Sequence, residues 1–301
     1  MQVFNPSAGR SADRWDSSRR GFRWVVPAFV IALCGAITEV GAAKLVDIEV
    51  LDRDHLMVHV ADGDVIHHEG STGEEVVRYE PELDAGVALV PGSWTITSED
   101  DPAYGGSGQH PQSCARKKKL NGHAQMEWIG SDFRYESTYE HRIYLELPNP
   151  MQQGMTYTLG IDPGTHIGVT SRSITFDIYN TPSEAVHVNL VGYAPNAPHK
   201  AADLYHWMGT AGARDYSAFE GNTVYVVDAT TGQATPAGSV SFWMAGGSDV
   251  FWYNLTRSDV WSVDFSAWTE PGTYRLAVEG VGCSRDFEIA DDVYRDSFHV
   301  A

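Results

Sequence analysis

Cysteine is almost missing from this chain: three residues in 301, at Cys34, Cys114 and Cys283. So few exclude a disulfide-built scaffold, and none has the paired spacing of a structural zinc site. Cys114 and Cys283 fall in different halves of the chain and read as two free thiols rather than as an interdomain bridge. Basic residues are also scarce, with 21 Lys and Arg against 40 Asp and Glu, for a net charge of −19. The acidic excess is spread rather than gathered in blocks, which disfavours nucleic acid or an anionic membrane surface as a partner. No long amphipathic helix is visible before residue 290, so the body of the chain is not helical. The usual catalytic signatures are missing too: there is no G-x-S-x-G elbow, no H-E-x-x-H and no glycine-rich phosphate loop.

What is present begins with an export pattern. Arg19, Arg20 and Arg23 precede the apolar stretch WVVPAFVIALCGAI, and the small residues Gly41, Ala42 and Ala43 follow it. A basic region, an apolar region and a small-residue exit make a secretory signal over residues 1–43, read by the Sec or the twin-arginine route. Secretion or a periplasmic location is therefore expected, the alternative being a membrane anchor over residues 24–41.

From Lys44 onward the dominant period is two. VDIEV and LMVHV alternate around the turn-rich LDRDH and predict a hairpin with one buried face. Further strands are expected at VVRYE, VALVPGSWTIT, HRIYLELP, MTYTLGI and SITFDIY, with a long polar loop over residues 99–132. A short hinge, NTPSEA, follows, and then a second set of short strands separated by turn signals such as TTG and EPGTY. This grammar predicts an all-β protein of two tandem β-sandwich, immunoglobulin-like modules, residues 44–180 and 186–290, with a helix start over 291–301.

Candidate chemistry is thin. Glu99, Asp100 and Asp101 sit together in the expected loop without calcium-loop spacing, and His67-His68-Glu69 alternate along a strand and cannot converge on one ion. No metal, cofactor or catalytic residue is expected. Asp291 and Asp292 suit the cap of the terminal helix. The aromatic residues are the remaining lead. Trp207, Trp243, Trp252 and Tyr253 are candidates for a carbohydrate platform or a domain interface, with one member of the adjacent pairs Phe242-Trp243 and Trp252-Tyr253 expected to face outward.

Two stretches of the second module carry a resemblance. VHVNLVGYAPNAPHKAAD is similar to a V-N-Q-V-G-Y-x-P-x-x-P-K opening, and VDFSAWTEPGTYRLAVEGVGCSRDFEIADDVYRD follows a D-F-S, G-T-Y, F-x-I, Y order. Residues 186–301 thus resemble the N-terminal immunoglobulin-like domain of glycoside hydrolase family 9 cellulases. Leu190 stands where that family usually has Gln. The resemblance implies a downstream (α/α)6 catalytic barrel in cis that cleaves β-1,4-glucan, a plant-type polysaccharide, with its carboxylates beyond this chain. It makes Tyr294 and Phe298 interface residues on the first turns of a barrel helix. Asp84-Ala85-Gly86-Val87 echoes that family's D-A-G-D but lacks the last Asp and is set aside. The expectation is the non-catalytic N-terminal portion of a secreted cellulase, bracing the barrel. A carbohydrate-binding module and a free-standing scaffold or adhesion protein stand as alternatives.

Overall fold

The computed structural model describes residues 42–67 and 74–300. The stretch read as an export signal, as far as residue 41, and His68 and Glu69 lie outside the described residues. Ala43 is already part of the folded body, buried, with its N–H donating to the His166 carbonyl.

In chain order the first half forms β1 (Lys44–Asp52), β2 (His55–Ala61), β3 (Gly63–His67), β4 (Glu74–Arg78), the one-turn α1 (Ala85–Ala88), β5 (Trp94–Thr97), β6 (Ser113–Ile129), β7 (Asp132–Glu146), β8 (Thr156–Ile161) and β9 (Ser171–Thr175). The second half forms β10 (Val186–His187), β11 (Ala201–Leu204), β12 (Thr223–Asp228), β13 (Ala234–Ser239), β14 (Ser241–Met244), β15 (Val260–Asp264), β16 (Gly272–Val278), β17 (Gly282–Cys283), β18 (Phe287–Ile289) and then α2 (Arg295–Val300).

The expected all-β architecture is what forms. A sheet of order β1-β2-β7-β6 faces the sheet β5-β8-β9 across a core of Val50, Leu56, Val58, Trp94, Ile143, Tyr157 and Leu159. The second half pairs a β10-β11-β15-β14 sheet with a β13-β12-β16-β17 sheet, to which β18 adds on β16. Their inner faces meet through Leu204, Val224, Val226, Trp261, Val263, Leu276 and Phe287. Cys114 and Cys283 are free, as the spacing suggests.

Two local readings change. Residues 113–129 lie inside the expected loop 99–132 but form a strand, paired with β7 from Ser113–Glu146 to Ile129–Asp132. Much of this hairpin is water-covered on both faces, so its sequence shows no apolar alternation for a period-two reading to find. The β1–β2 hairpin, expected to bury one face, buries two. Even-numbered Leu56, Val58 and Val60 enter the first core, whereas Leu51 and Met57, with Ala115 and Tyr144 of β6 and β7, belong to the core of the second half. Successive side chains on a strand point to opposite sides, so one sheet serves both cores.

The hinge is likewise tied down. Ser183 donates from Oγ to the Leu51 carbonyl at 2.6 Å, and Pro182 bridges to Cys283. Nearby, Gly209 has φ +63, and a Cβ there would sit 2.3 Å from the Arg116 carbonyl oxygen, so the backbones of the two halves approach as only glycine permits.

Candidate functional site

The candidate aromatics gather around one connection, residues 245–259, between β14 and β15. Trp243 and Phe242 are both exposed on β14, Phe242 resting edge-on against the buried Trp261 at 5.7 Å between centroids. Trp252 and Tyr253 are not on a strand. Val250–Trp252 is a single 3-10 turn that leaves Trp252 at φ +55, and Asp249 Oδ2 holds the next bend by accepting from the Leu255 N–H. The turn removes the alternation on which the one-out expectation rests for Trp252-Tyr253, a register shift between Phe242 and Met244 does so for Phe242-Trp243, and all four side chains are exposed. Trp252 is 86% exposed, and Val250 and Leu255 are 75% and 78% exposed. This clustering of Val250, Trp252, Tyr253 and Leu255 within six residues was visible in the sequence; what hid it was reading them as strand. Trp207 stands apart, half-buried after β11, but Arg257 of the same connection lies over its ring at 5.0 Å.

The other tryptophans divide. Trp94 and Trp261 are core residues, Trp94 donating from Nε1 to the Ala88 carbonyl. Trp128, exposed near the tip of the β6–β7 hairpin, packs edge-on against Phe133 at 4.8 Å. Sequence reasoning passed over that pair because the hairpin read as a loop.

At the far end, α2 forms as expected. Arg295 pairs with Asp292 at 2.7 Å, Tyr294 donates its hydroxyl to the Gly192 carbonyl, and Phe298 is 80% exposed. Tyr294 and Phe298 therefore do different things: the first ties the helix start to the module, and the second reaches into solvent.

The signature stretch around Gly192 has a physical explanation. Gly192 has φ +107, and a Cβ would meet the Glu288 carbonyl oxygen at 2.4 Å. Tyr193 is buried among Phe265 and Phe287 and donates to the Ala201 carbonyl. Lys200 is fully buried, its ammonium donating to the Pro195 and Ala197 carbonyls at 2.8 and 3.2 Å. These residues fold the loop against β18; none is turned toward a reacting bond. Leu190, by contrast, is 66% exposed.

The carboxylates are structural where the sequence raised them. Asp84 caps α1 by accepting from the Val87 N–H. Asp101 is buried and accepts from the Ala103 N–H and the Tyr157 hydroxyl, while Asp100 accepts from the Thr156 N–H. Among the described residues, no three His, Cys, Asp or Glu side chains are grouped to hold a metal.

Against this geometry, residues 181–283 match the family model described as the cellulase N-terminal ig-like domain. Endoglucanase D of Acetivibrio thermocellus is 33% identical over 116 residues, which is 38% of this chain and 15% of that protein. The chain thus spans about 15% of the length of the curated relatives it matches. Among solved structures, a metagenome-derived glycoside hydrolase family 9 endoglucanase aligns at 29% identity over 37% of this chain and 18% of its own, with a TM-score of 0.30. The N-terminal part of the bacterial S-layer protein SbsC aligns over 83% of this chain and 44% of its own at 14% identity and a TM-score of 0.28. The second half of the chain is therefore similar to the N-terminal immunoglobulin-like domain of cellulases.

Proposed function

We propose that this chain is the non-catalytic N-terminal portion of a secreted glycoside hydrolase of the cellulase type, bracing a downstream catalytic domain in cis. The observation that carries the reading is the exposed apolar group Phe242, Trp243, Val250, Trp252, Tyr253 and Leu255, presented by a module similar to one that stands first in cellulases. Solvent-facing apolar groups of this size are unusual on a protein that works alone and mark contact surfaces. Covering them contributes about 25 cal/mol per Å² before the ordering of side chains is counted. Aromatic anchors dominate such interfaces. The polysaccharide acted on by the assembly is a β-1,4-glucan, and residues 1–43 direct export, with the mature protein starting near Lys44 when sequenced from its N-terminus.

The test uses the polypeptide that continues past residue 301 into the catalytic domain. Replacing Trp243, Trp252 and Leu255 together with Ser is expected to lower the catalytic domain's Tm by roughly 5–10 °C, about the effect of losing two or three interface anchors. Residues 42–301 alone should melt unchanged. If the catalytic domain melts at the same temperature with either surface, the bracing role is wrong.

A further inference from the structure

A cleft of about 440 Å³ opens where the two halves of the chain meet. Glu49 of β1 and Lys117 of β6 form one wall; Glu184, His187, Tyr205 and Trp207 form the other. The 245–259 connection touches this cleft only at its end, where Thr256 lines it and Arg257 lies over Trp207.

The wall is part polar, part aromatic. His187 and Tyr205 are stacked face to face, 4.1 Å between centroids and 21° from parallel, with Trp207 beyond them. Glu49 Oε2 is buried and meets no hydrogen-bond donor among the described residues. Leaving an acceptor so placed unsatisfied is costly, and a donor from a ligand relieves that cost. Lys117 lines the same cleft, half-buried, its ammonium 5.8 Å over the Tyr144 ring. Burial pushes the Glu49 carboxyl up, helped by the nearby Glu184, and pushes the Lys117 amine down.

The charges also balance. Glu49 and Glu184 are matched in number by Lys117 and Arg285, all lining the same space, and Glu184 is further met by Arg142 at 3.4 Å, so the cleft offers both donors and acceptors without an excess of one sign. A charged ligand gains little there, while a neutral molecule that both donates and accepts can satisfy each group. Ring faces beside fixed hydrogen-bonding groups fit a molecule with an apolar C–H face and a rim of hydroxyls. We propose that this cleft binds the end of a neutral oligosaccharide, a pyranose ring lying on the Tyr205–Trp207 side with its hydroxyls on Glu49 and Lys117. This does not depend on the docking role: the two surfaces use different residues and fail separately.

Calorimetric titration of the whole chain with cellotriose, xylotriose and maltotriose, and with digalacturonate as the charged comparator, tests it. At least one neutral trisaccharide is expected to bind with a Kd of about 0.1–5 mM. Trp207→Ala and Glu49→Gln should each weaken binding at least ~10-fold, equivalent to about 1.4 kcal/mol, while Trp252→Ala leaves it unchanged. Glu49→Gln keeps the side-chain shape, so it carries the test should Trp207→Ala melt early. The proposal is overturned if no neutral trisaccharide binds at about 10 mM, a range that still detects contacts worth under 3 kcal/mol. It is equally overturned if binding survives Glu49→Gln, depends on Trp252, or is tighter for digalacturonate.

Discussion

Replacing Arg214 with Met is expected to destabilise the protein by about 3–5 kcal/mol, the usual effect of stripping one partner from a buried ion pair. Asp52 is 0% exposed and is held by Arg214 from the other half of the chain, Nε to Oδ2 at 2.8 Å, with His55 Nδ1 at 3.2 Å on its other oxygen. The same guanidinium reaches Asp54 and lies over the rings of Tyr216 and Phe219. Met at this position would leave a buried carboxylate with only His55 and the Asp54 N–H, both on Oδ1, and strip Oδ2 of its donor. For a chain of this size the change corresponds to a Tm lower by roughly 10 °C. The exposed pair Lys44–Asp64 is the contrast: Lys44→Met should stay within about 0.5 kcal/mol. A loss below 1 kcal/mol in Arg214→Met would mean that this ion pair does not hold the two halves together.

The junction also sets an acid dependence. Burial raises the Asp52 carboxyl, but the hydrogen bond and charge of His55 and then Arg214 outweigh it and hold the group below its ordinary value. Its contribution is complete above about pH 3.9, the unfolded value, and is lost as pH falls through the lower folded value. His206, buried against Tyr144 with Nε2 3.0 Å from the tyrosine oxygen, is pushed down to about 3 by burial and by the nearby Lys117. Below about pH 6.5 the unfolded chain takes up that proton and the folded one does not, so stability falls by about 1.4 kcal/mol per pH unit until pH approaches the folded value. Urea titrations from pH 7 to 4 should show that slope, and Arg214→Met should unfold at a higher pH than the parent.

Lys200→Met is expected to cost about 2–4 kcal/mol, because it leaves two turn carbonyls without their donor in a place water does not reach. The opposing consideration is real: a buried ammonium is expensive, and replacing buried charge with packing can stabilise a protein. Here the carbonyls of Pro195 and Ala197 remain after substitution, so removing the charge does not remove the polar groups it serves. The backbone of Lys200 meanwhile stays bound to Ser266 and Phe265, which keeps the site closed. Hydrogen exchange should show residues 194–200 opening first. A Met variant as stable as the parent would refute this account of the signature lysine.

The sequence pattern was enough to read the β class, the second module and its signature, since alternation, turn residues and the Gly192, Tyr193 and Lys200 positions are local demands of backbone and burial. Apolar alternation found the buried end of β7 at HRIYLELP but was silent on β6 and the start of β7, where both faces meet water over much of their length. It misassigned Trp252 and Tyr253 because a 3-10 turn of apolar residues looks like a strand until its φ angles are known.

Tertiary structure alone decided that Met57 and Tyr144 leave their own core for the neighbouring one, that Asp52 finds Arg214 across 162 positions, and that Glu49 and Trp207 share a cleft. The reason is geometric. Periodicity along a chain says which residues share a face, but what covers that face is set by a segment the period never mentions.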